Sequence, residues 1–184
     1  EYGAVFSKTG DIVKQPFIIA GKPRSQMHTR VAFNTTRRQY LVVYNSSESG
    51  SPDIKGVIVA EDGTPIGDEI MINDTPGDQY NPFVAYNPTD DTYLLNWEDF
   101  RHVPTWEQSG EIYGALLDGE GNVLVNDIPM IDDFGTAGEG DQRHNEVTYN
   151  PDRNQFFVCW TDTAPALDNV GIRGRFITAD GKLA

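Results

Sequence analysis

An internal repeat restricts the folds that are open to this chain. Three segments, each beginning with Gln and ending with Asn, align without gaps at residues 26–34, 79–87 and 142–150. Each continues at the same spacing into an apolar run, at residues 40–44, 93–97 and 156–160. The connection between segment and run is rich in Asn, Pro and Asp, a composition that predicts a hairpin loop. Each repeat therefore begins with two antiparallel strands.

Two more strands follow in each repeat, marked by a pair of glycines seven residues apart. The pairs are Gly3 and Gly10, Gly56 and Gly63, Gly114 and Gly121, and Gly174 and Gly181. The second glycine ends a turn triplet such as Glu61-Asp-Gly63, where a positive φ favours Gly. Fourth strands are predicted at residues 17–20, 69–72 and 128–131. The unit is thus four consecutive antiparallel strands over 53 to 60 residues.

A four-stranded meander cannot bury both of its faces alone, so successive units must stack. The predicted fold class is all-β and β-propeller-like, with four-stranded antiparallel blades and about three blades plus extra strands in a single repeat domain. Tyr44, Trp97 and Trp160 are expected to be buried between blades. Residues 1–20 are predicted to form strands 3 and 4 of a partial blade, 21–75 blade 1, 76–134 blade 2, and 135–184 an incomplete blade 3.

Several of these motifs carry a resemblance. The run Val84-Ala-Tyr-Asn-Pro88, the segment from Tyr93 to Arg101 with its Trp-x-Asp, and Glu111-Ile-Tyr-Gly114 resemble a β-propeller-like repeat of secreted and cell-surface bacterial and archaeal proteins. Blade 1 departs from it, because Tyr44-Asn-Ser replaces the Trp-x-Asp. The resemblance implies a propeller-like fold and an extracellular location, and it implies no defined activity. A first residue other than Met fits a processed secreted protein or an excised fragment.

The charge balance argues against some partners. Lys and Arg total 14 against 28 Asp and Glu, which gives a formal net charge of -14. A field of that sign repels phosphate backbones and anionic membrane surfaces, so nucleic acid is not expected as a partner. No apolar stretch approaches the length of a membrane span. The single cysteine, Cys159, cannot form an intramolecular disulfide and is expected to be a small buried hydrophobe.

A ring of polar residues is the candidate metal site. His28, Asn81 and His144 each lie two positions after the repeated Gln and precede the innermost strand of a propeller blade. From successive blades they could point into the central channel and hold a divalent metal. The alternative is that they hydrogen-bond backbone groups where the strand begins. Calcium in the Asp-rich loops at residues 132–135 or 118–121 is a second possibility, although neither has EF-hand spacing.

The longest connection between strands, residues 99–110, is the candidate ligand site. It carries Trp106, His102, Arg101 and Asp99, and a tryptophan beside charged groups is a typical platform for stacking a sugar ring. Two alternatives remain open. Trp106 could cap the apolar edge of its own blade, and Arg101 could form an ion pair with Asp99 or Glu98.

The leading functional prediction is a non-catalytic extracellular module that binds carbohydrate or protein and self-associates as a homodimer. In this assembly residues 1–20 would pair with residues 146–178, preferentially of a neighbouring chain. One alternative is a structural subunit of an extracellular fibre or surface layer. The other is a glycoside hydrolase or polysaccharide lyase that uses a pair of loop carboxylates. The available carboxylates are Glu98, Asp99, Asp132, Asp133, Glu139, Asp141 and Asp162.

Overall fold

A computed structural model of the protein describes residues 1–21, 23, 25–102, 110–130, 141–164 and 169–184. This part of the chain contains thirteen β-strands and no helix. The strands are β1 (Tyr2–Phe6), β2 (Ile12–Ile18), β3 (Gln26–Asn34), β4 (Gln39–Ser46), β5 (Asp53–Ala60), β6 (Pro65–Asn73), β7 (Gln79–Asn87), β8 (Thr92–Asp99), β9 (Glu111–Asp118), β10 (Val123–Pro129), β11 (Asp141–Asn150), β12 (Gln155–Ala164) and β13 (Asn169–Thr178). Accordingly, no described segment has the helical length and apolarity that crossing a membrane requires.

The strands form four antiparallel sheets in chain order. A two-stranded hairpin, β1–β2, is followed by blade 1 (β3–β6), blade 2 (β7–β10) and a three-stranded blade 3 (β11–β13). The predicted all-β architecture with four-stranded blades is confirmed. The fourth strands begin earlier than the apolar runs predicted. β2, for example, begins at Ile12 and not at residue 17, because Ile12 already pairs with Phe6 of β1 directly after the turn. Among the described strands β1 pairs with β2 alone, so the expected pairing of residues 1–20 with 146–178 is not made within one chain.

The blades stack so that their first strands are neighbours. β3 lies beside β7, and β7 lies beside β11, which makes them the inner strands of the row. Three apolar layers join the hairpin to blade 1, blade 1 to blade 2, and blade 2 to blade 3. Tyr44, Trp97 and Trp160 lie in successive layers with 0%, 0% and 3% of their surface exposed. The predicted burial of these three aromatic side chains is confirmed.

Close packing explains the first glycine of each pair. At Gly114 a β-carbon would overlap the carbonyl oxygen of Leu95 and the side chain of Met130. At Gly174 it would lie 2.6 Å from the Phe157 ring. Both glycines are in the third strand of a blade, where side chains from neighbouring strands cross the backbone. Glycine recurs at this position because neighbouring strands approach too closely to leave room for a β-carbon.

Polar bonds tie the blades together at the end where strands 1 and 2 meet in a hairpin. Asn34 of blade 1 donates through Nδ2 to Oδ1 of Asp91 in blade 2, at 2.8 Å. Asn87 of blade 2 donates in the same way to Oδ1 of Asn154 in blade 3, at 3.0 Å. Asp91 and Asn154 both have positive φ, 52° and 49°, which Asn and Asp tolerate better than most residues. The repeated Asn that ends strand 1 is thus a hook to the next blade.

Candidate functional site

A β-bulge interrupts each inner strand near its start. The pairing register shifts between Met27 and Arg30 in β3, and at the equivalent points of β7 and β11. The residues at these bulges are His28, Asn81 and His144, with φ of 57°, 52° and 56°. They lie inside the strands, whereas the sequence placed them before the strands. A left-handed conformation favours Asn and His over most side chains, which accounts for their recurrence here.

The bulge residues bind to neighbouring protein groups. His28 Nδ1 lies 2.7 Å from Asn45 Oδ1, and Asn81 Nδ2 donates to Glu98 Oε2 at 2.9 Å. The backbone N–H of His144 donates to the other oxygen of Glu98, Oε1, at 2.8 Å. In the part of the chain that the structure describes, no three His, Cys, Asp or Glu side chains group as a metal site would require. Metal binding by His28, Asn81 and His144 stays a prediction.

Glu98 joins the inner strands of two blades. It lies at the end of β8, is only 3% exposed, and accepts one hydrogen bond from the β7 bulge and one from the β11 bulge. Asn45 occupies the same register position in blade 1, and Thr161 does so in blade 3. Blade packing therefore does not itself demand a carboxylate at this position. In the sequence, the signal for Glu98 is that it is the one acid at a position where the other repeats have Asn45 and Thr161; taken alone, it is one of many acids and a possible partner for Arg101.

Aromatic rings surround this point. The Tyr80 ring of blade 2 lies edge-on to His28 of blade 1, with ring centroids 6.4 Å apart, and to Phe100 at 5.9 Å. The Arg143 guanidinium of blade 3 also packs on Phe100, 4.7 Å from its centroid, and Phe100 itself is only 1% exposed. This aromatic and cationic cluster spans three blades. The inner-strand site is defined by seven residues: His28, Tyr80, Asn81, Glu98, Phe100, Arg143 and His144.

Two half-buried aspartates border the inner-strand site. Asp78 and Asp141 each directly precede the repeated Gln of their blade. Asp78 accepts a hydrogen bond from the Tyr80 hydroxyl at 3.3 Å. Asp141 accepts from Arg143 Nε at 2.6 Å and from the backbone N–H of Gly110 at 2.9 Å. Carboxylates from blades 2 and 3 thus flank a surface that also contains a buried glutamate.

The structure describes only the two ends of the predicted ligand loop. Trp106 lies outside the described residues. Asp99 is 1% exposed and is engaged by Arg101, whose Nε and Nη2 lie 2.8 and 2.7 Å from its two oxygens. Nη2 also reaches Asp127 at 2.7 Å. His102 is exposed, with Nδ1 2.9 Å from Glu111 Oε2.

The ion pair holds Arg101 in place over an aromatic ring. Burial lowers the pKa of Arg101, but the hydrogen bonds that Arg101 donates to Asp99 and Asp127, together with the charges of these carboxylates, outweigh burial and hold that pKa above its ordinary value. The guanidinium carbon lies 4.0 Å from the centre of the Tyr113 ring, and burial raises the pKa of Tyr113 to about 12. Arg101 thus forms the ion pair with Asp99 that the sequence left open. A ligand role for Trp106, His102, Arg101 and Asp99 stays a prediction.

Known structures share this fold. An N-acetylgalactosamine deacetylase from F. plautii, solved in complex with blood group B trisaccharide, superposes with a TM-score of 0.59 at 11% identity, over 86% of this chain and 51% of its own. An alpha-L-arabinofuranosidase from Lactobacillus brevis gives 0.59 at 10% identity, over 94% and 59%. A thermostable family-43 glycoside hydrolase gives 0.56 at 15% identity, over 99% and 69%. No protein-family model matches the sequence, and no curated protein does.

These likenesses establish the β-propeller fold. This chain spans little more than half of the deacetylase and of the arabinofuranosidase. The structural similarities also correct the leading functional prediction. The non-catalytic binding or scaffold module was the wrong choice, because the proteins that share the fold include glycoside hydrolases and a deacetylase that act on sugars. The repeat motifs report strand pairing and blade packing, so they could not distinguish a binding blade from a catalytic one.

Proposed function

We propose that this chain contributes the inner-strand site of an enzyme that cleaves glycosidic bonds. The observation that carries the proposal is Glu98. A carboxylate that is 3% exposed is costly to bury, and the equivalent positions in blades 1 and 3 do without one. A costly group that packing does not require is typical of a functional position.

The surroundings of Glu98 suit a sugar. Hydroxyl groups can exchange hydrogen bonds with Asn81 and the two aspartates, while the half-buried ring of Tyr80, which packs on the buried Phe100, offers an apolar surface to the C–H side of a pyranose or furanose. Three blades contribute these groups, so a chain of several sugar units would contact more than one blade. The similar structures that act on carbohydrates support the same ligand class.

Glycosidic cleavage needs two carboxyl groups, one to protonate the leaving oxygen and one to act as base or nucleophile. We assign one of these roles to Glu98, whose two oxygens are held in fixed directions by Asn81 and His144. The second carboxyl group is Asp78 or Asp141, which flank the site on neighbouring blades. Asp78 is the better placed to exchange a proton, because Asp141 is already engaged by the Arg143 guanidinium.

Three further expectations from the sequence belong to this proposal. An extracellular location, predicted from the repeat resemblance, fits an enzyme whose substrates are polysaccharides. Trp106, predicted to stack on a sugar ring, follows Asp99 and Arg101 in the chain, close in sequence to Glu98. Association between copies is the third expectation carried forward from the sequence.

Hydrolysis assays test the proposal directly. The chain is incubated with a panel of aryl glycosides, including α-L-arabinofuranosides and β-xylosides, and with polysaccharides, and released reducing ends are measured. Hydrolysis of at least one substrate is expected. Glu98→Gln should then lower turnover by about 100-fold or more, as for the loss of a general acid or base. Asp78→Asn should give a comparable loss.

The matched control is Glu120→Gln. Glu120 is an exposed glutamate in the β9–β10 turn, with 64% of its side-chain surface exposed, and it pairs with Arg37 away from the inner-strand site. Its replacement should leave turnover unchanged. Unsaturated sugar products would indicate a lyase instead. Absence of turnover on the whole panel, or full turnover by a folded Glu98→Gln variant, would contradict the proposal.

A further inference from the structure

Glu98 belongs to a closed set of hydrogen bonds between blades 2 and 3. Its Oε2 accepts from Asn81 Nδ2 at 2.9 Å, and its Oε1 accepts from the backbone N–H of His144 at 2.8 Å. The residue after His144 is Asn145, whose Nδ2 donates to the backbone carbonyl of Asn81 at 3.2 Å. Asn145 thus connects the two residues that donate to Glu98, one in each blade.

Asn145 is fully buried where β11 packs against β7 and β8. It is 0% exposed, and its Nδ2 also donates to the backbone carbonyl of Asn96 at 3.1 Å. Its Oδ1 is buried too and accepts no hydrogen bond from the residues that the structure describes. An unpaired amide oxygen in a buried place costs free energy. What Asn145 contributes is therefore its two donated bonds, which hold the Asn81 bulge and β8 from blade 3.

The repeat does not require an asparagine at this position. The aligned residues are Thr29 in blade 1 and Pro82 in blade 2, and Pro82 has no side-chain donor. At the boundary between blades 1 and 2, where Pro82 lies, Asn45 stands in place of Glu98. The buried amide donor of strand 1 and the buried carboxylate of strand 2 thus occur together, at the boundary between blades 2 and 3.

We propose that Asn145 is a positioning residue that fixes the direction of the Glu98 carboxylate from the neighbouring blade. Its part in turnover rests on the proposed role of Glu98 in glycosidic cleavage. Asn145 holds the β7 bulge so that Asn81 Nδ2 stays within reach of one carboxylate oxygen, while the His144 N–H is presented to the other. A carboxyl group that transfers a proton needs its oxygen in a fixed direction, and a small displacement of a reacting group lowers turnover strongly.

Asn145→Val tests the hold on Glu98 without any substrate. It removes both donated bonds and gives the side chain the shape of Thr29, which blade 1 has at this position. Amide hydrogen exchange, measured by NMR, follows the two groups that donate to Glu98: the backbone N–H of His144 and the side-chain amide of Asn81. Both should exchange at least about tenfold faster in the variant, because their bonds to a charged acceptor are loosened.

Turnover is the second measurement. On an aryl glycoside that the unmodified chain hydrolyses, Asn145→Val should lower kcat by about tenfold and leave KM within about twofold, because the Glu98 carboxylate is present but misdirected. Asn96→Val is the matched control. Asn96 is also 0% exposed, donates to the backbone carbonyl of Glu146 in blade 3 at 3.2 Å, and corresponds to Val43 of blade 1. It should lower the urea midpoint as Asn145→Val does, but leave kcat and both exchange rates unchanged.

Asn145→Ala repeats both measurements if Asn145→Val fails to fold. Unchanged exchange rates in a folded variant, or an equal change in Asn96→Val, would overturn the proposal. So would a full kcat in Asn145→Val when Glu98→Gln has lost turnover. If the unmodified chain hydrolyses none of the substrates, the catalytic role of Glu98 fails, and the exchange rates still decide whether Asn145 directs its carboxylate.

Discussion

Lys55 shows how a single residue can be held in the apolar layer between the hairpin and blade 1. It is 6% exposed, and its Nζ lies 2.8 Å from Glu48 Oε2 and 2.7 Å from Glu69 Oε1. The Tyr44 hydroxyl donates to the other oxygen of Glu69. A buried ammonium of this kind is tolerated only when it is paired, and the loss of one partner leaves the others uncompensated.

We therefore expect Lys55→Met to destabilise the protein by about 2 kcal/mol, because it leaves Glu69 partly buried without its cation. Urea unfolding followed by tryptophan fluorescence measures this change. Lys182→Met is the control: Lys182 also pairs with an acid, Asp180, but 78% of its side-chain surface is exposed. Its unfolding midpoint should stay where it is in the unmodified chain. Equal midpoints for the two variants would mean that the Lys55 cluster contributes nothing.

The same cluster predicts a dependence on pH. Burial lowers the pKa of Lys55, but the hydrogen bonds that Lys55 donates to Glu48 and Glu69, together with the charges of these carboxylates, outweigh burial and hold that pKa above its ordinary value of 10.5. A pKa that is raised in the folded state stabilises the fold below pH 10.5. That stabilisation is lost as the pH rises through the folded pKa. The unmodified chain should lose stability above about pH 10.5, and Lys55→Met should lack this part of the loss.

At the scale of elements, the Asn hooks offer a measurement of how strongly one blade holds the next. Asn87 donates to Asn154 of blade 3, while its Oδ1 accepts from the backbone N–H groups of Thr89 and Asp90. Asn150 is the same residue of blade 3, and its Oδ1 accepts from Asp152 and Arg153 N–H groups. The two asparagines share their local turn, but Asn87 is fully buried and donates both to Asn154 of blade 3 at 3.0 Å and to Asp90 of its own turn at 3.1 Å.

Asn87→Ala should therefore cost more than Asn150→Ala. Loss of a buried side chain with several hydrogen bonds costs about 2 kcal/mol, and we expect the Asn150 variant to lose about 1 kcal/mol less. Urea unfolding of both variants gives the difference, which combines the bond between blades with the bond to Asp90 and the deeper burial of Asn87. Equal losses would show that the turn alone accounts for the repeated asparagine.

The elements also show what the sequence could and could not predict. Strand order and blade stacking follow from the Gln, Asn, Trp and Gly periodicity, because these residues return at matching strand positions, with Tyr44 in place of the Trp in blade 1. The bulges at Asn81 and its equivalents were not predicted, since a positive φ leaves no mark beyond a preference for Asn or His. Glu98 was not recognised as part of the site, because its neighbours come from a different blade 46 residues away.

At the scale of the whole molecule, the two faces of the β1–β2 hairpin differ. One face packs on blade 1, and the other carries exposed side chains such as Tyr2 and Phe6. Phe17, Ile19 and Ala20 pack over Tyr44, Val42, Val57 and Val59 of blade 1. A groove of about 340 Å³ remains beside β1, lined mainly by apolar side chains of the hairpin and blade 1. Without the hairpin, the apolar face of blade 1 would be exposed to water.

Two substitutions at neighbouring positions compare the contributions of these two faces to stability. Phe17 points to blade 1, whereas Ile18 is 58% exposed on the opposite face of β2. Phe17→Ala should destabilise the chain by about 2 kcal/mol, below the usual cost of truncating a fully buried phenylalanine because Phe17 is only partly buried. Ile18→Ala should change stability by less than about 0.5 kcal/mol, as at most surface positions. Thermal unfolding measures both effects.

Deletion of residues 1–20 should have a larger effect, because it uncovers the whole layer that includes Tyr44 and Val59. Exposed apolar surface of this extent favours association through the wrong surfaces, so we expect an aggregating or unfolded product. Light scattering and binding of a hydrophobic dye would detect either. A monomeric deletion variant with an unchanged melting temperature would show that blade 1 needs no cover. In that case the destabilisation expected for Phe17→Ala should be absent too, because both changes act on the same apolar layer.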